Sequence, residues 1–249
     1  MKKAAIVLIV LVGLLVAADF GTAAAAEYQV SKRLRSHLSL PDDPAVRING
    51  FPFLLQAFSG DYRDVDVNAD GVTVARLRNL GVEATLHHVR VPFADLVSGS
   101  VQSVRIDEVV GRVRVRAAEL QQLIAVEDLR VEKVTDRDRN AAGKAVPSNA
   151  VKLGGITDIL GQRTSVVVIA SLELAGGQVQ IQAHTVQVNG QTLAPAIEQA
   201  VLRLFTVRLD PGTLPFSVTP TAVRADNGAL IVEGTARDVV LNTAGAVGG

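Results

Sequence analysis

Apolar and charged residues take turns along much of this chain, and that alternation restricts the fold more than any other feature. Val65 and Val67 alternate with Asp64 and Asp66, and Val104 and Ile106 with Arg105. Val113 and Val115 alternate with Arg112, Arg114 and Arg116. Successive side chains on a strand point to opposite faces, so each stretch predicts a strand with one dry and one wet face. Strands resume at residues 165–174 and 178–188. In the latter, Val179, Ile181 and Ala183 oppose Gln180, Gln182 and His184, after which Val186 and Val188 shift register by one. One extra residue near Thr185, a bulge or bend, accounts for the shift.

Helical periodicity is rarer. Residues 27–38 predict an amphipathic helix with Val30, Leu34 and Leu38 on one face, ended by Pro41 and Pro44. Residues 117–126 place Leu120, Leu123 and Ile124 on one side. Thr192 caps a helix running to Phe205, with Pro195 in its first turn and Leu193, Ile197, Val201 and Leu204 inward. The polar stretch 135–152 reads as a long exposed loop dividing the domain roughly in half. Asp70-Gly71, Asn189-Gly190, Asp210-Pro-Gly and Asp226-Asn-Gly read as turns, residues 229–232 as a final strand, and 242–249 as a frayed tail. The expected fold class is α+β, a curved antiparallel sheet wrapped around helices in a single domain.

The amino terminus sets the compartment. Lys2 and Lys3 precede an apolar run from Ala4 to Ala18, broken by Asp19. Fifteen helical residues span about 22 Å, short of the roughly 30 Å hydrocarbon core. A basic start, a short apolar stretch and then small residues form a secretory pattern, and Ala24-Ala25-Ala26 offers a cleavage site that leaves Glu27 as the new terminus. Residues 1–26 therefore read as a signal peptide, with an uncleaved membrane anchor as the alternative. Residues 27–241 form the exported domain under both readings. Location in the cell envelope, on the outer side of the cytoplasmic membrane, is expected.

Composition and motifs remove many chemistries. With 25 basic and 25 acidic residues, the chain lacks the basic excess of a general nucleic-acid binder. Its 48% hydrophobic content is too high for a disordered acidic chain. The absence of cysteine excludes disulfide frameworks, thiolate metal sites and cysteine nucleophiles. Asp66-Val-Asn68-Ala-Asp70-Gly71 matches the first half of a calcium loop, but its twelfth position is Leu77 in place of a bidentate carboxylate. A hairpin turn at Asp70-Gly71 is the better reading. His87 and His88 are adjacent on a strand, point to opposite faces, and cannot share one ion. Nucleophile-elbow, phosphate-loop and dinucleotide-binding patterns are missing. No catalytic residue, metal ligand or cofactor is therefore assigned.

Two segments stand out for binding. Gly50-Phe51-Pro52-Phe53-Leu54-Leu55-Gln56-Ala57-Phe58 gathers three of the seven phenylalanines into nine residues, and Val91-Pro92-Phe93-Ala94-Asp95-Leu96-Val97 repeats the Pro-Phe theme. Such groups line either an ordinary core or a ligand cavity, which is mostly apolar with a few orienting polar groups. On apolar pattern, the expected lining is Phe51, Phe53, Leu54, Phe58, Phe93, Leu96, Leu120, Ile124, Val201 and Phe205. Arg112, Arg114 and Arg116 form one basic stripe, and Lys32, Arg33 and Arg35 another. These stripes are either solvated faces or sites for anionic headgroups and the membrane surface.

The order of these pieces resembles the LmeA-like phospholipid-binding family of actinobacterial envelope proteins. The resemblance runs from the basic-apolar leader through Gly50-Phe51-Pro52-Phe53-Leu54, residues 60–67, and Val91-Pro92-Phe93-Ala94-Asp95-Leu96 to Leu214-Pro215-Phe216 and the last strand. It implies an elongated, tubular lipid-binding-like fold that holds acyl chains of a phosphatidylinositol-type phospholipid in an apolar groove. It further implies a non-enzymatic role in lipomannan and lipoglycan maturation, beside an envelope glycosyltransferase whose identity it leaves open. The rivals are an envelope scaffold without a cavity and a lipid-acting hydrolase.

Overall fold

The computed structural model describes residues 2–242 apart from 75–76, 99, 125, 142–145, 148, 160, 176–177, 189–194, 210–218 and 227. The Asn189-Gly190 turn, the Thr192 cap, Leu193, the Asp210-Pro-Gly turn, Leu214-Pro215-Phe216 and the tail from 243 lie outside the described residues. The order of elements begins with α1 (Lys2–Leu38), β1 (Ala45–Asn49), α2 (Phe53–Ser59), β2 (Asp61–Val74), β3 (Leu77–Arg90), α3 (Phe93–Ser98) and β4 (Ser103–Arg116). Next come α4 (Ala117–Leu120), β5 (Glu127–Lys133), α5 (Asp136–Ala141), β6 (Ala150–Ile159), β7 (Gln162–Ala175) and β8 (Gln178–Val188). The chain closes with α6 (Pro195–Leu204), β9 (Val207–Leu209), β10 (Thr219–Asp226) and β11 (Ala229–Asn242). A six-stranded sheet has the order β1-β2-β3-β4-β11-β10, and a five-stranded sheet the order β5-β6-β7-β8-β9. The fold is α+β, with open antiparallel sheets and helices.

The chain forms two compact units, neither of them contiguous in sequence. The first comprises residues 1–71, 82–111 and 236–249, the second 72–81 and 112–235. Strands β2, β3, β4 and β11 each contribute residues to both. The expected division at residues 135–152 is not observed, because that whole stretch belongs to the second unit.

In the second unit, β6 and β7 pair without interruption from Ala150↔Ser171 to Ile159↔Gln162. Inward residues Val151, Leu153, Val166, Val168 and Ile181 are fully buried there. Helix α6 adds Val201, and Phe205 follows it into the core, while Leu204 is 37% exposed. Ile197 packs against the same core, so Leu204, expected inward, is the residue that the end of the helix leaves at the surface. The bulge expected near Thr185 is present: Ile169 pairs with Thr185 and Ala170 with Ala183, leaving His184 as the extra residue.

Several expectations need correction. The predicted helix at 27–38 is the end of one continuous 37-residue helix, and Leu38 is exposed. Of the helix expected over 117–126, the described residues form only the single turn of α4. Strands expected to be short run for 14 residues in β2, β3 and β4. Asp70-Gly71 is no turn, since β2 continues through it to Val74. Gly71 has φ 78°, and a Cβ there would lie 2.5 Å from Cγ of Pro41, so close approach and backbone together require glycine. The stretch 135–152 is structured at both ends. Thr135 Oγ1 donates to Asp138 Oδ2 and accepts from Asp138 N, a capping box that starts α5, while β6 begins at Ala150.

Candidate functional site

Helix α2 is seven residues long, too short to be stable by itself, and is held at both ends. At its start, the amides of Phe53 and Leu54 donate to the two carboxylate oxygens of Asp19 on α1, each at 2.8 Å. At its end, Gly60 has φ 68° and donates to Ala57 O, while its own carbonyl accepts from Val91 N at 2.9 Å. Buried Gln56 accepts from Arg63 N and donates to Gly50 O, tying the middle of α2 to the chain on either side.

This fixing gives α2 an unusual distribution of side chains. Phe53, Gln56 and Ala57 face inward at i, i+3 and i+4. Phe53 packs against Tyr62, with ring centroids 6.1 Å apart, and together with Ala57, Val65 and Val91 forms the core of the first unit. Burial raises the Tyr62 pKa above its ordinary value. A surface helix would carry polar groups on the opposite face. Here that face carries Leu55, 65% exposed, and Phe58, 90% exposed, with half-buried Leu54 between the two faces.

A pocket of about 670 Å³ opens beside this face. Leu54, Ala57, Phe58, Val91, Pro92, Phe93 and Ala94 supply its apolar wall. Ser59, Asp61, Arg90, Ser103 and Arg105 supply polar groups. Arg90 donates to Asp107 at 2.6 Å, whereas Arg105 makes no ion pair among the described residues. Asp61 receives His88 Nδ1 at 3.1 Å. The size falls within the usual range of small-molecule pockets, and so does the pairing of an apolar wall with a few polar groups. A neighbouring cleft of about 210 Å³ is bordered by Phe51, Pro52, Leu55 and Arg63. In the second unit, a cleft of about 610 Å³ has Ile124, Val126 and Ile156 beside Glu127, Asp158 and Arg163.

The ten apolar residues expected to line one groove are thus dispersed. Leu54, Phe58 and Phe93 meet on the pocket beside α2. Phe51 borders the smaller cleft and stacks on Phe20 at 6.0 Å. Phe53 is core of the first unit. Leu120, Val201 and Phe205 are core of the second, as is Ile124, which also borders that unit's cleft. Leu96 lies in α3, outside the described side chains.

None of the five arginines expected at a headgroup site lines the pocket beside α2. Arg35 binds Asp43, which Lys32 also approaches at 2.6 Å, and Arg33 is half-buried on the same helix. Lys32, then Arg35, hold the Asp43 carboxyl below its usual pKa. Arg112 and Arg224 share Glu233, Arg116 donates to Asn79 O, and Arg114 is half-buried between them on β4. The pocket's own cations, Arg90 and Arg105, were missed because they flank α3 at the end of β3 and the start of β4. Alternation marked Arg105 as outward but gave no sign that Phe93 would lie beside it.

The calcium-loop motif also finds another use. Asp66 accepts from Thr85 Oγ1 at 2.7 Å and Asn49 Nδ2 at 2.6 Å, linking β1, β2 and β3. A Ser–His contact does occur in the second unit, with His184 Nε2 at 2.8 Å from Ser171 Oγ. Glu173 sits on the serine instead of the imidazole, and Ser171 is fully buried, so this lacks the order of a nucleophilic triad. Ser59 on the main pocket donates to Gln56 O.

A family model described as LmeA-like phospholipid-binding matches residues 17–235. No curated protein and no solved structure gives a match.

Proposed function

Since the chain belongs to the LmeA-like phospholipid-binding family, we propose that it is a non-enzymatic carrier and that the pocket beside α2 and α3 holds its phospholipid. The observation that carries this reading is the division of the pocket wall. Leu54, Phe58, Val91 and Phe93 offer an apolar surface for an acyl chain, and Arg105, which makes no ion pair among the described residues, offers forked N–H donors for a phosphate, with the Asp107-paired Arg90 beside it. Each methylene removed from water contributes about 0.8 kcal/mol, so ten contribute about 8 kcal/mol against the cost of ordering the lipid. The guanidinium of Arg105, left without a carboxylate partner among the described residues, favours an anionic lipid over a zwitterionic one, in line with the phosphatidylinositol class the resemblance implies. On the same resemblance, the carrier works in the cell envelope, outside the cytoplasmic membrane, in support of lipomannan and lipoglycan maturation.

In this reading Phe53 backs the pocket, while Leu120, Ile124, Val201 and Phe205 keep the second unit solid. Native mass spectrometry of the purified chain, followed by solvent extraction, is the test. One intact anionic phospholipid per chain is expected, lost in Phe93→Asp and weakened at least tenfold in Arg105→Glu. An apo mass that persists after incubation with anionic vesicles would favour a scaffold. Recovery of lysolipid and free fatty acid would favour a hydrolase.

A further inference from the structure

Helix α1 has two halves of opposite character. From Ile6 to Leu15 its large apolar side chains are 52% to 69% exposed. From Asp19 on, one face of the same helix is built into the first unit. Asp19 takes two amides of α2, and Ala23 and Ala26 pack against the Phe53 core. Glu27 accepts from Ile48 N at 2.7 Å, and Ser31 donates to Pro44 O at 2.6 Å. Positions 19, 23, 26, 27 and 31 share one helical face. That face starts ahead of the Ala24-Ala25-Ala26 site, and the family match itself starts at residue 17. Cleavage after Ala26 would remove three residues of the folded unit.

We propose that α1 is retained as a membrane anchor, and that Phe20, Phe51, Leu55 and Phe58 form a surface resting in the same bilayer. The occupant is a phospholipid bilayer because the surface continues the exposed apolar half of α1: Phe20, 63% exposed, stacks on Phe51. Asp19 does not interrupt this continuity, since its carboxylate is turned toward α2 and away from lipid. Length supports the same arrangement. Sixteen residues from Lys3 to Ala18 rise about 24 Å, some 6 Å less than a hydrocarbon core. Drawing the aromatic surface into the interfacial layer makes up the difference, at the depth where aromatic rings are favoured. Lys2 and Lys3 place the helix start on the cytoplasmic side, and the two units outside.

Phe58 belongs both to this surface and to the pocket rim, so lipid passes between bilayer and pocket without crossing water. This last step alone rests on the carrier reading. The chain contains no tryptophan, which makes a single indole a clean reporter. Full-length Leu55→Trp and Tyr28→Trp would be reconstituted in phosphatidylcholine vesicles with bromine on the upper acyl carbons. Leu55 is not on the main pocket, and Tyr28 lies about 13 Å beyond Asp19 along α1. The expected result is an intact mass that includes residues 1–26, at least twofold quenching at position 55, and none at 28. A folded, membrane-free protein beginning at Glu27 overturns the anchor. An unquenched Leu55→Trp in a vesicle-bound chain overturns the surface and leaves it to a protein partner or a second copy. Lipid recovered from such a chain would still support the carrier, whereas quenching at 55 without extractable lipid would support the surface and count against the carrier.

Discussion

Two carboxylates do local structural work that their neighbours define. Asp19 is 3% exposed and completes the amino end of α2 from a distant helix. Asp19→Ala leaves the buried Phe53 amide and the part-buried Leu54 amide without this acceptor and should lower stability by about 2–4 kcal/mol, read from the urea midpoint. If the midpoint is unchanged, α2 is held by its own packing instead. Asp66 is bound first by the Thr85 hydroxyl and then by the Asn49 amide, so its folded pKa lies below the ordinary carboxylate range. Its folded pKa is depressed, so the stability it contributes is fully present above the unfolded value near 3.9 and is lost as pH falls through the folded value. Asp66→Asn should therefore flatten the acid limb of a stability–pH profile below about pH 4. Parallel profiles for the two proteins would show that this residue does not drive the acid transition.

Among the elements, α6 separates core from site. Phe205 is fully buried in the second unit and far from the pocket residues in sequence. Phe205→Ala should cost about 3–5 kcal/mol while the surviving folded protein keeps its phospholipid, measured by thermal melts and extraction. Loss of lipid with an unchanged melting temperature would return Phe205 to the lining. The elements also show what was readable in advance. Strand β8 was placed at residues 178–188, as observed, because alternation reports directly which face is wet. Its bulge was readable for the same reason, as a break in that alternation. The packed face of α1 was not, because Asp19, Ala23, Ala26 and Ser31 include no large apolar group. Hydrophobic periodicity therefore had nothing to register before Val30. The capping box of α5 was not read, because Thr135 and Asp138 sit in a polar stretch that reads as loop. At the candidate site, Phe58 and Phe93 stood out as aromatics in an aromatic-poor chain. Arg90 and Arg105 depended on long-range placement of strand ends, which short spacing does not encode.

For the molecule as a whole, the interleaving of the two units is decisive. Because β2, β3, β4 and β11 each feed both, no single cut of the chain yields either one. Pairing of such distant segments makes for a high contact order and slow folding. The sheets are open, so their outer strands present unpaired backbone groups. At β1 this liability is managed from α1, whose Glu27 accepts the Ile48 amide that no strand takes. A chain shortened past Glu27 would present β1 as a bare template for strand addition by another molecule. The helix proposed as the anchor thus also occupies an amide on the open edge of the sheet.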